Sequence, residues 1–126
     1  MDGSFDFDAD TFNFVDLGFN DGPSDFSTID TIANFVSGSD RLQFAEYFGF
    51  QLGTVAGNYV ENLTAAVDLP TLGAAAALAH AGGAEYYFGV VGANGYLIAD
   101  DTADGWGTVV QLTGVTDMAP ADIVVG

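Results

Sequence analysis

Three aspartates near the N-terminus, Asp6, Asp8 and Asp10, are spaced i, i+2 and i+4. In an extended strand this spacing puts their carboxylates on one face, where they repel each other unless a cation lies between them. Calcium takes six to eight oxygen ligands, aspartate carboxylates among them. A bend in the segment would therefore let the three aspartates bind one Ca²⁺. A solvated polar face is the alternative, because water and salt screen exposed carboxylates.

A second acidic group, Asp100-Asp101-Thr102-Ala103-Asp104-Gly105, partly matches the opening of an EF-hand loop. Thr102 occupies the third position, and the twelfth would be Gln111 instead of a bidentate glutamate. The flanking segments also have strand patterns, whereas an EF-hand needs helices. We therefore expect Asp100, Asp101 and Asp104 to lie in a β-turn that either binds calcium or is simply solvated.

The charge balance of the whole chain favours a cation-binding protein. Eighteen acidic residues oppose a single basic one, which gives a net charge of −17, yet 49% of the residues are hydrophobic. A disordered acidic tail would be poorer in apolar residues, so we expect a folded domain whose self-repulsion must be screened. A chain with one cation lacks the basic surface that nucleic acids and anionic membranes require. No apolar run reaches the ~18 residues that membrane insertion needs.

The elements that must position these residues are mostly strands. We expect one domain over residues 1–126, with an acidic arm and loop rich in Phe and Gly over 1–27 and a β-rich core over 28–126. The expected fold class is mainly β with one α-helix, in an antiparallel sheet or a β-sandwich-like arrangement. The helix is predicted over about residues 69–81, because Asp68 is a good N-cap, Pro70 is tolerated in the first turn and Gly82-Gly83 ends the pattern.

Period-2 patterns and turn residues predict the strands. Ile29–Phe35 and Arg41–Phe44 are predicted to form a hairpin around the turn Ser37–Asp40. Residues 59–67 form either a strand or a first helical turn. Short connections favour an antiparallel meander in the C-terminal third. Its four predicted strands are Glu85–Val91, Gly95–Asp100, Thr108–Leu112 and Asp122–Val125, and a further strand is predicted at Thr11–Val15.

Two segments resemble a known family. Asp8–Phe14 reads DADTFNF, and Asp30–Leu42 reads DTIANFVSGSDRL. They are similar to the last nonapeptide turn and the following cap of repeats-in-toxin (RTX) proteins, which bacteria export by type I secretion. In that family the turn reads Gly-Ala-Asp-Thr-Phe-x-Phe and the cap reads Asp-x-Ile-x-Asp-Phe-x-x-Gly-x-Asp-Lys-Ile. Ala121–Val125 also resembles the C-terminal export signal of such proteins, and Tyr86–Asp101 with Gln111–Val115 is similar to the tails of secreted surface-layer proteins.

The resemblance implies a degenerate RTX-type N-terminal strand and a calcium ion bound near the cap. Asp30, Asn34 and Asp40 stand at positions that help to bind the final calcium in the family, with turn chemistry as the alternative. The chain departs from the family at Asp8, where the last repeat glycine belongs, and at Asn34, which replaces the cap aspartate. No Gly-Gly-x-Gly-x-Asp repeat precedes residue 8.

Nothing in the sequence identifies an enzyme. His80 is the single histidine, in the last predicted turn of the helix, and no nucleophile or orienting partner can be assigned to it. Zincin, phosphate-loop and dinucleotide motifs are absent from the sequence. We expect a non-enzymatic protein. A small hydrolase that uses a pair of carboxylates is the weaker alternative.

Two functions remain open at this point, both outside the cell or at its surface. One is a secreted, calcium-binding structural protein that assembles with copies of itself into a layer, filament or matrix. Its contacts would be sheet edges and the N-terminal arm Phe5–Phe14. The other is a non-enzymatic export and capping module of a larger type I secreted enzyme or adhesin. Either would use a type I exporter as its partner during secretion.

Overall fold

The computed structural model describes residues 11–14, 29–44, 51–101 and 106–125. It confirms a mainly β fold with one helix. No helix in these ranges is long and apolar enough to cross a membrane. A short 3₁₀ turn, Pro120–Asp122, precedes the last strand. The other elements are β1 (Thr11–Phe14), β2 (Ile29–Ala33), β3 (Arg41–Phe44), β4 (Tyr59–Ala66), α1 (Leu69–Ala81), β5 (Tyr86–Val91), β6 (Asn94–Asp101), β7 (Trp106–Thr113) and β8 (Ile123–Val125).

The strands form two sheets. The smaller sheet has the order β1-β3-β8 and the larger has the order β2-β7-β6-β5-β4. The pairs β5–β6 and β6–β7 are antiparallel, so the predicted meander is confirmed for these three strands. The pairs β1–β3, β3–β8, β2–β7 and β4–β5 are all parallel. The larger sheet is therefore mixed instead of purely antiparallel, and it packs on the smaller sheet as in the β-sandwich-like alternative.

The predicted hairpin of β2 and β3 is also wrong, because the two strands belong to different sheets. The residues between them turn at Ser37–Asp40 as expected, with the Asp40 amide donating to the Val36 carbonyl at 2.8 Å. Asn34, however, adopts a left-handed conformation with φ 64°, and the following Phe35 is buried in the core between the sheets. Because the Phe35 ring is buried between the sheets, the chain passes through the core to the smaller sheet and does not fold back on β2.

The last predicted strand needs the same correction. β8 does not extend the meander but pairs with β3 in the smaller sheet. The segment that leads to it contains Met118, which is buried in the core between the two sheets. Here too an apolar side chain is buried where the chain passes from one sheet to the other.

Alternating side chains of the central strands build two cores. Tyr86, Phe88 and Val90 of β5 pack toward the smaller sheet, and the rings of Phe44 and Tyr86 lie 5.3 Å apart. Tyr87 belongs to the second core, beneath the helix. Successive strand residues point to opposite faces, so one strand serves both cores. The molecule thus has three layers, in the order smaller sheet, larger sheet and helix.

Helix α1 begins and ends at the predicted residues. The Asp68 carboxylate accepts a hydrogen bond from the Thr71 amide at 2.9 Å, which caps the first turn. Gly89 of β5 lies directly under Leu72, and a Cβ at this glycine would clash with the leucine side chain. The helix therefore packs against β5 at a position where the strand has no side chain. Just before the helix, residues 59–66 form the strand β4, not a first helical turn.

Candidate functional site

The residues that resemble a cap lie where the chain crosses between the two sheets. Residues 34–40 connect β2 to β3, and residues 114–122 connect β7 to β8. β2 is parallel to β7 and β3 is parallel to β8, with Ala33 opposite Thr113 and Leu42 opposite Ile123. The two connections therefore run side by side, and the second is two residues longer. We call them the first and second crossings.

Both crossings start in the same way. Asn34 opens the first with φ 64°, and Gly114 opens the second with φ 76°. Left-handed backbone favours glycine and is tolerated by asparagine. In each crossing the next residue, Phe35 or Val115, packs against the core between the sheets. The crossings are thus a structural repeat that residue identity does not reveal.

Asp122 joins the two crossings. Its side chain is only 1% exposed, and it accepts hydrogen bonds from the Ser37 hydroxyl at 2.6 Å and the Gly38 amide at 3.0 Å. A third hydrogen bond comes from the Ala119 amide of its own crossing at 2.9 Å. Buried carboxylates must find donors, because their desolvation is otherwise costly. This carboxylate finds them in both crossings.

Arg41 supplies the positive charge at this junction. It is the chain's single Lys or Arg residue. Its Nη1 atom lies 3.7 Å from Oδ1 of Asp122 and donates a hydrogen bond to the Asp40 carbonyl at 2.9 Å. A buried charge is tolerated when a counter-charge and hydrogen bonds accompany it. In a chain of net charge −17, the one strong cation thus lies beside a buried carboxylate.

Asp40 closes the first crossing. Its buried carboxylate accepts a hydrogen bond from the Val36 amide at 2.8 Å. This is the local turn chemistry that the sequence left open as the alternative to calcium binding at Asp40. Asn34 is exposed, at the opposite end of the same crossing.

Asp30 lies on the edge strand β2. It is half-buried, and it shares a strand face with Ile32, which packs in the core between the sheets. Burial raises the pKa of Asp30, because desolvation disfavours its charged form. Calcium binding by Asp30, Asn34 and Asp40 stays a prediction. Within the described ranges, no group of three or more His, Cys, Asp or Glu side chains is arranged to hold a metal ion.

Of the other six predicted ligands, two lie within the described residues. Asp6, Asp8, Asp10 and Asp104 lie outside the described residues. Asp100 and Asp101 end strand β6, where they pair in register with Gly107 and Trp106 of the antiparallel strand β7. Strands β6 and β7 flank residues 102–105, whereas an EF-hand needs helices there, and the predicted β-turn itself lies outside the described residues.

Two buried polar groups close the end of the larger sheet where β5 begins. His80 lies in the last turn of α1, and its Nδ1 atom donates a hydrogen bond to the Ala84 carbonyl at 2.7 Å. This contact holds the turn that leads into β5. Glu85 accepts hydrogen bonds from the Gln51 amide at 2.8 Å and from the Asn58 side chain at 3.0 Å. No sequence motif marked Glu85, because its partners are distant along the chain.

No protein-family model, curated protein or solved structure gives a significant match to this chain. The likeness to RTX proteins therefore remains a resemblance in sequence. The function has to be argued from the two sheets and the crossings between them.

Proposed function

We propose that this chain is a non-enzymatic structural module that closes one end of a stack of parallel β-strands in two sheets. One observation carries the proposal: in the described part of the chain, β1 and β2 are the free edges at the same end of the two sheets. The crossings set β2 beside β7 and β3 beside β8 in the same order. β1 extends the smaller sheet past β3, on the side where β2 ends the larger one.

The pairing of β1 with β3 supports this proposal. Thr11 is in register with Arg41, and Phe14 is in register with Phe44. In the sequence, residues 10–14 read DTFNF and residues 40–44 read DRLQF, so an Asp precedes both strands and a Phe ends both. A third strand of this pattern would fit the free side of β1, because an open strand edge is a template for further pairing.

The opposite end of the larger sheet is less suited to continuation. Its last strand, β4, is parallel to β5 but shifts register between Asn62 and Ala66. Irregularities of this kind protect sheet edges from unwanted pairing. The helix α1 contacts both β4 and β5 at this end. Stacked β architectures need such terminal units, because an uncapped core would be exposed.

The proposed module folds with calcium outside the cell. The net charge of −17 opposes folding until cations screen it. Asp30 adds a carboxylate at the free edge whose pKa is raised by burial, so a cation bound there would offset its desolvation. A site with calcium at about 100 times its dissociation constant would add about 2.7 kcal/mol. Secretion by a type I exporter rests on the sequence resemblance.

The capping proposal is tested by fusing parallel β repeats to the N-terminus of the chain. We expect the fused repeats to fold as a monomer at lower calcium than the same repeats alone, because their last edge would be covered by β1 and β2. Circular dichroism during a calcium titration and light scattering measure this. Equal calcium midpoints with and without the module would contradict capping. Full folding of the module in excess chelator would contradict the calcium dependence.

A second candidate is the assembly of identical copies, and the directions of two edge strands favour it. β4 runs in the same direction as β2, because two antiparallel pairings separate β5 from β7. A copy stacked in the same orientation would therefore bring its β2 to the regular part of β4, residues 59–62, for parallel pairing. Contacts of this head-to-tail kind produce filaments when the rotation between successive copies does not close a ring. Val60 and Leu63 of β4 are 39% and 46% exposed.

Assembly is tested by light scattering and negative-stain microscopy, first in calcium and then in chelator. Ordered polymers that dissolve in chelator are expected. Val60→Lys should prevent them, because a charge on an edge strand opposes pairing. Val36→Lys is the matched control, since Val36 is 52% exposed but lies in the first crossing. A monomer at all calcium concentrations would contradict assembly and leave capping intact.

A further inference from the structure

A cavity of about 140 Å³ lies between the irregular part of β4 and the helix α1. β4 pairs with β5 from Tyr59 to Asn62, and its register then shifts before Ala66 meets Val91. Residues 63–65 of β4 have no in-register partner in β5. Leu72 and Ala75 of the helix form one wall, so the cavity lies between the displaced strand and the helix.

The remaining walls carry hydroxyl and amide groups. Asn62, Thr64, Thr71 and Tyr87 all line the cavity. Tyr87 is only 5% exposed, and burial raises the pKa of its hydroxyl, an effect that the neighbouring Asn62 side chain partly offsets. Asn62 Oδ1 also accepts a hydrogen bond from the Thr64 amide at 3.0 Å, which fixes the displaced strand. A small number of polar groups that converge beside an apolar wall is typical of a small-molecule site.

The charge of the lining selects the class of ligand. None of the residues that line the cavity is Asp, Glu, Lys, Arg or His, although the chain has a net charge of −17. An anionic ligand would be repelled by the field of the protein, and a cation would find no carboxylate in the cavity. A neutral ligand remains, with hydroxyl groups toward Asn62 and Thr71 and a less polar face toward Leu72.

We propose that this cavity binds the terminal ring of a neutral carbohydrate. A sugar ring combines hydroxyl groups at its edge with C–H groups on its faces, as the two kinds of wall require. A cavity of about 150 Å³ accepts a molecule of benzene, so this volume suits about one six-membered ring. The opening is bordered by the exposed residues Asn62, Thr64 and Thr71. The rest of a glycan would extend from there into solvent.

The site does not depend on the proposed capping function. It lies at the β4 side of the larger sheet, whereas capping uses β1 and β2 at the opposite edge. Loss of sugar binding would therefore leave the calcium titration of a fused repeat array unchanged. Failure of capping would likewise leave sugar binding intact, so the two results are distinguishable.

The experiment is a ¹⁵N NMR titration of the full chain with glucose, galactose, mannose and N-acetylglucosamine, and with neutral oligosaccharides of each. At least one sugar is expected to shift resonances at residues 62–66, 71–75 and 87–89. Glucuronic acid should bind more weakly than glucose, because it carries a negative charge. Tighter binding of an oligosaccharide would identify a glycan chain as the ligand, and equal binding would identify a free sugar; both uphold the proposal.

Two leucine substitutions sharpen the test. Ala75→Leu places a side chain in the cavity and should weaken binding about tenfold or more, a loss of about 1.4 kcal/mol. Ala74→Leu is the control, because Ala74 is exposed on the same helix and does not line the cavity. Alanine and leucine have similar helix propensities, so both variants should fold. The proposal is overturned if no neutral sugar shifts these resonances, or if both variants bind sugar equally.

Discussion

The two crossings take the same path between the sheets but are held in different ways. In the first, the Asp40 carboxylate accepts a hydrogen bond from the Val36 amide of the same crossing. In the second, the Asp122 carboxylate bonds Ser37 and Gly38 of the first crossing as well as Ala119 of its own. A carboxylate thus closes each crossing. The Asp122 carboxylate also ties the second crossing to the first.

This difference separates a local turn from a tertiary junction. The Asp40 contact spans four residues and forms wherever the turn forms. The contact of Asp122 with Ser37 spans 85 residues and exists only when both sheets are in place. We therefore expect changes at Asp122 to affect the whole fold, and changes at Asp40 to act mainly within the first crossing.

The largest effect is expected for Asp122→Ala. The variant leaves the Ser37 hydroxyl and two amides without their acceptor and Arg41 without its counter-charge. Hydrogen bonds to charged groups contribute about 1.5–3 kcal/mol each, so losing three of them should cost more than losing one. Urea denaturation in calcium measures the free energy of unfolding. Asp40→Ala is the comparison and should cost less, about 1.5–3 kcal/mol, for the loss of the one hydrogen bond from the Val36 amide to a charged group. Equal costs would contradict the distinction between the two carboxylates.

A smaller effect is expected at Gly114. Gly114→Ala forces a side chain into left-handed backbone at φ 76°, which costs about 1–2 kcal/mol. Gly114→Asn should cost less, because Asn34 occupies the same position of the first crossing at φ 64°. Thermal unfolding of the two variants compares them. If asparagine destabilises the protein as much as alanine does, the crossings are not equivalent at this position.

Arg41→Gln is expected to cost about 1 kcal/mol or less. The Arg41 side chain is 36% exposed, and solvent-accessible ion pairs contribute only about 0–1 kcal/mol. Asp122 would keep its three other hydrogen bonds in this variant. Urea denaturation at low and high salt measures the cost, which should shrink at high salt as screening increases. A cost as large as that of Asp122→Ala would show that the charge, and not the hydrogen bonds, holds the junction.

The smallest effect is expected for Asp30→Asn, which should stabilise the protein, whereas the variants above should destabilise it. Burial raises the pKa of Asp30 above the ordinary value of 3.8, so the protonated form is favoured in the fold. Protonated Asp30 therefore contributes to the free energy of unfolding. This contribution is fully present below the unfolded-state pKa and is lost as the pH rises through the folded-state pKa. At pH 7 in chelator, Asp30→Asn should therefore stabilise the protein slightly.

The same variant also separates calcium binding from simple burial. If Asp30 binds calcium, Asp30→Asn should gain less stability from added calcium than the unchanged chain does. Thermal unfolding of both proteins at pH 4 and pH 7, each without calcium and with calcium, gives the four values required for each protein. An identical calcium effect in both proteins would remove Asp30 from the predicted site.

Several features of the fold were determined by the sequence alone. The bounds of α1 follow from Asp68 before it and the glycine pair after it, which act through neighbouring residues. The meander from β5 to β7 follows from short connections between segments of strand pattern, because such connections restrict how neighbouring strands can pair.

The partition of strands between the sheets was decided only by the tertiary structure. A period-2 pattern shows that one strand face is buried, but it is the same whichever sheet the strand joins. The partners of β2 and β3 lie about 80 residues later, in β7 and β8, and no local signal near residues 29–44 specifies them. Asp122 likewise gains its role only when the second crossing is set beside the first. Local hydrogen bonds and periodicity thus determined the elements, and burial of Phe35 and Met118 between the sheets determined their arrangement.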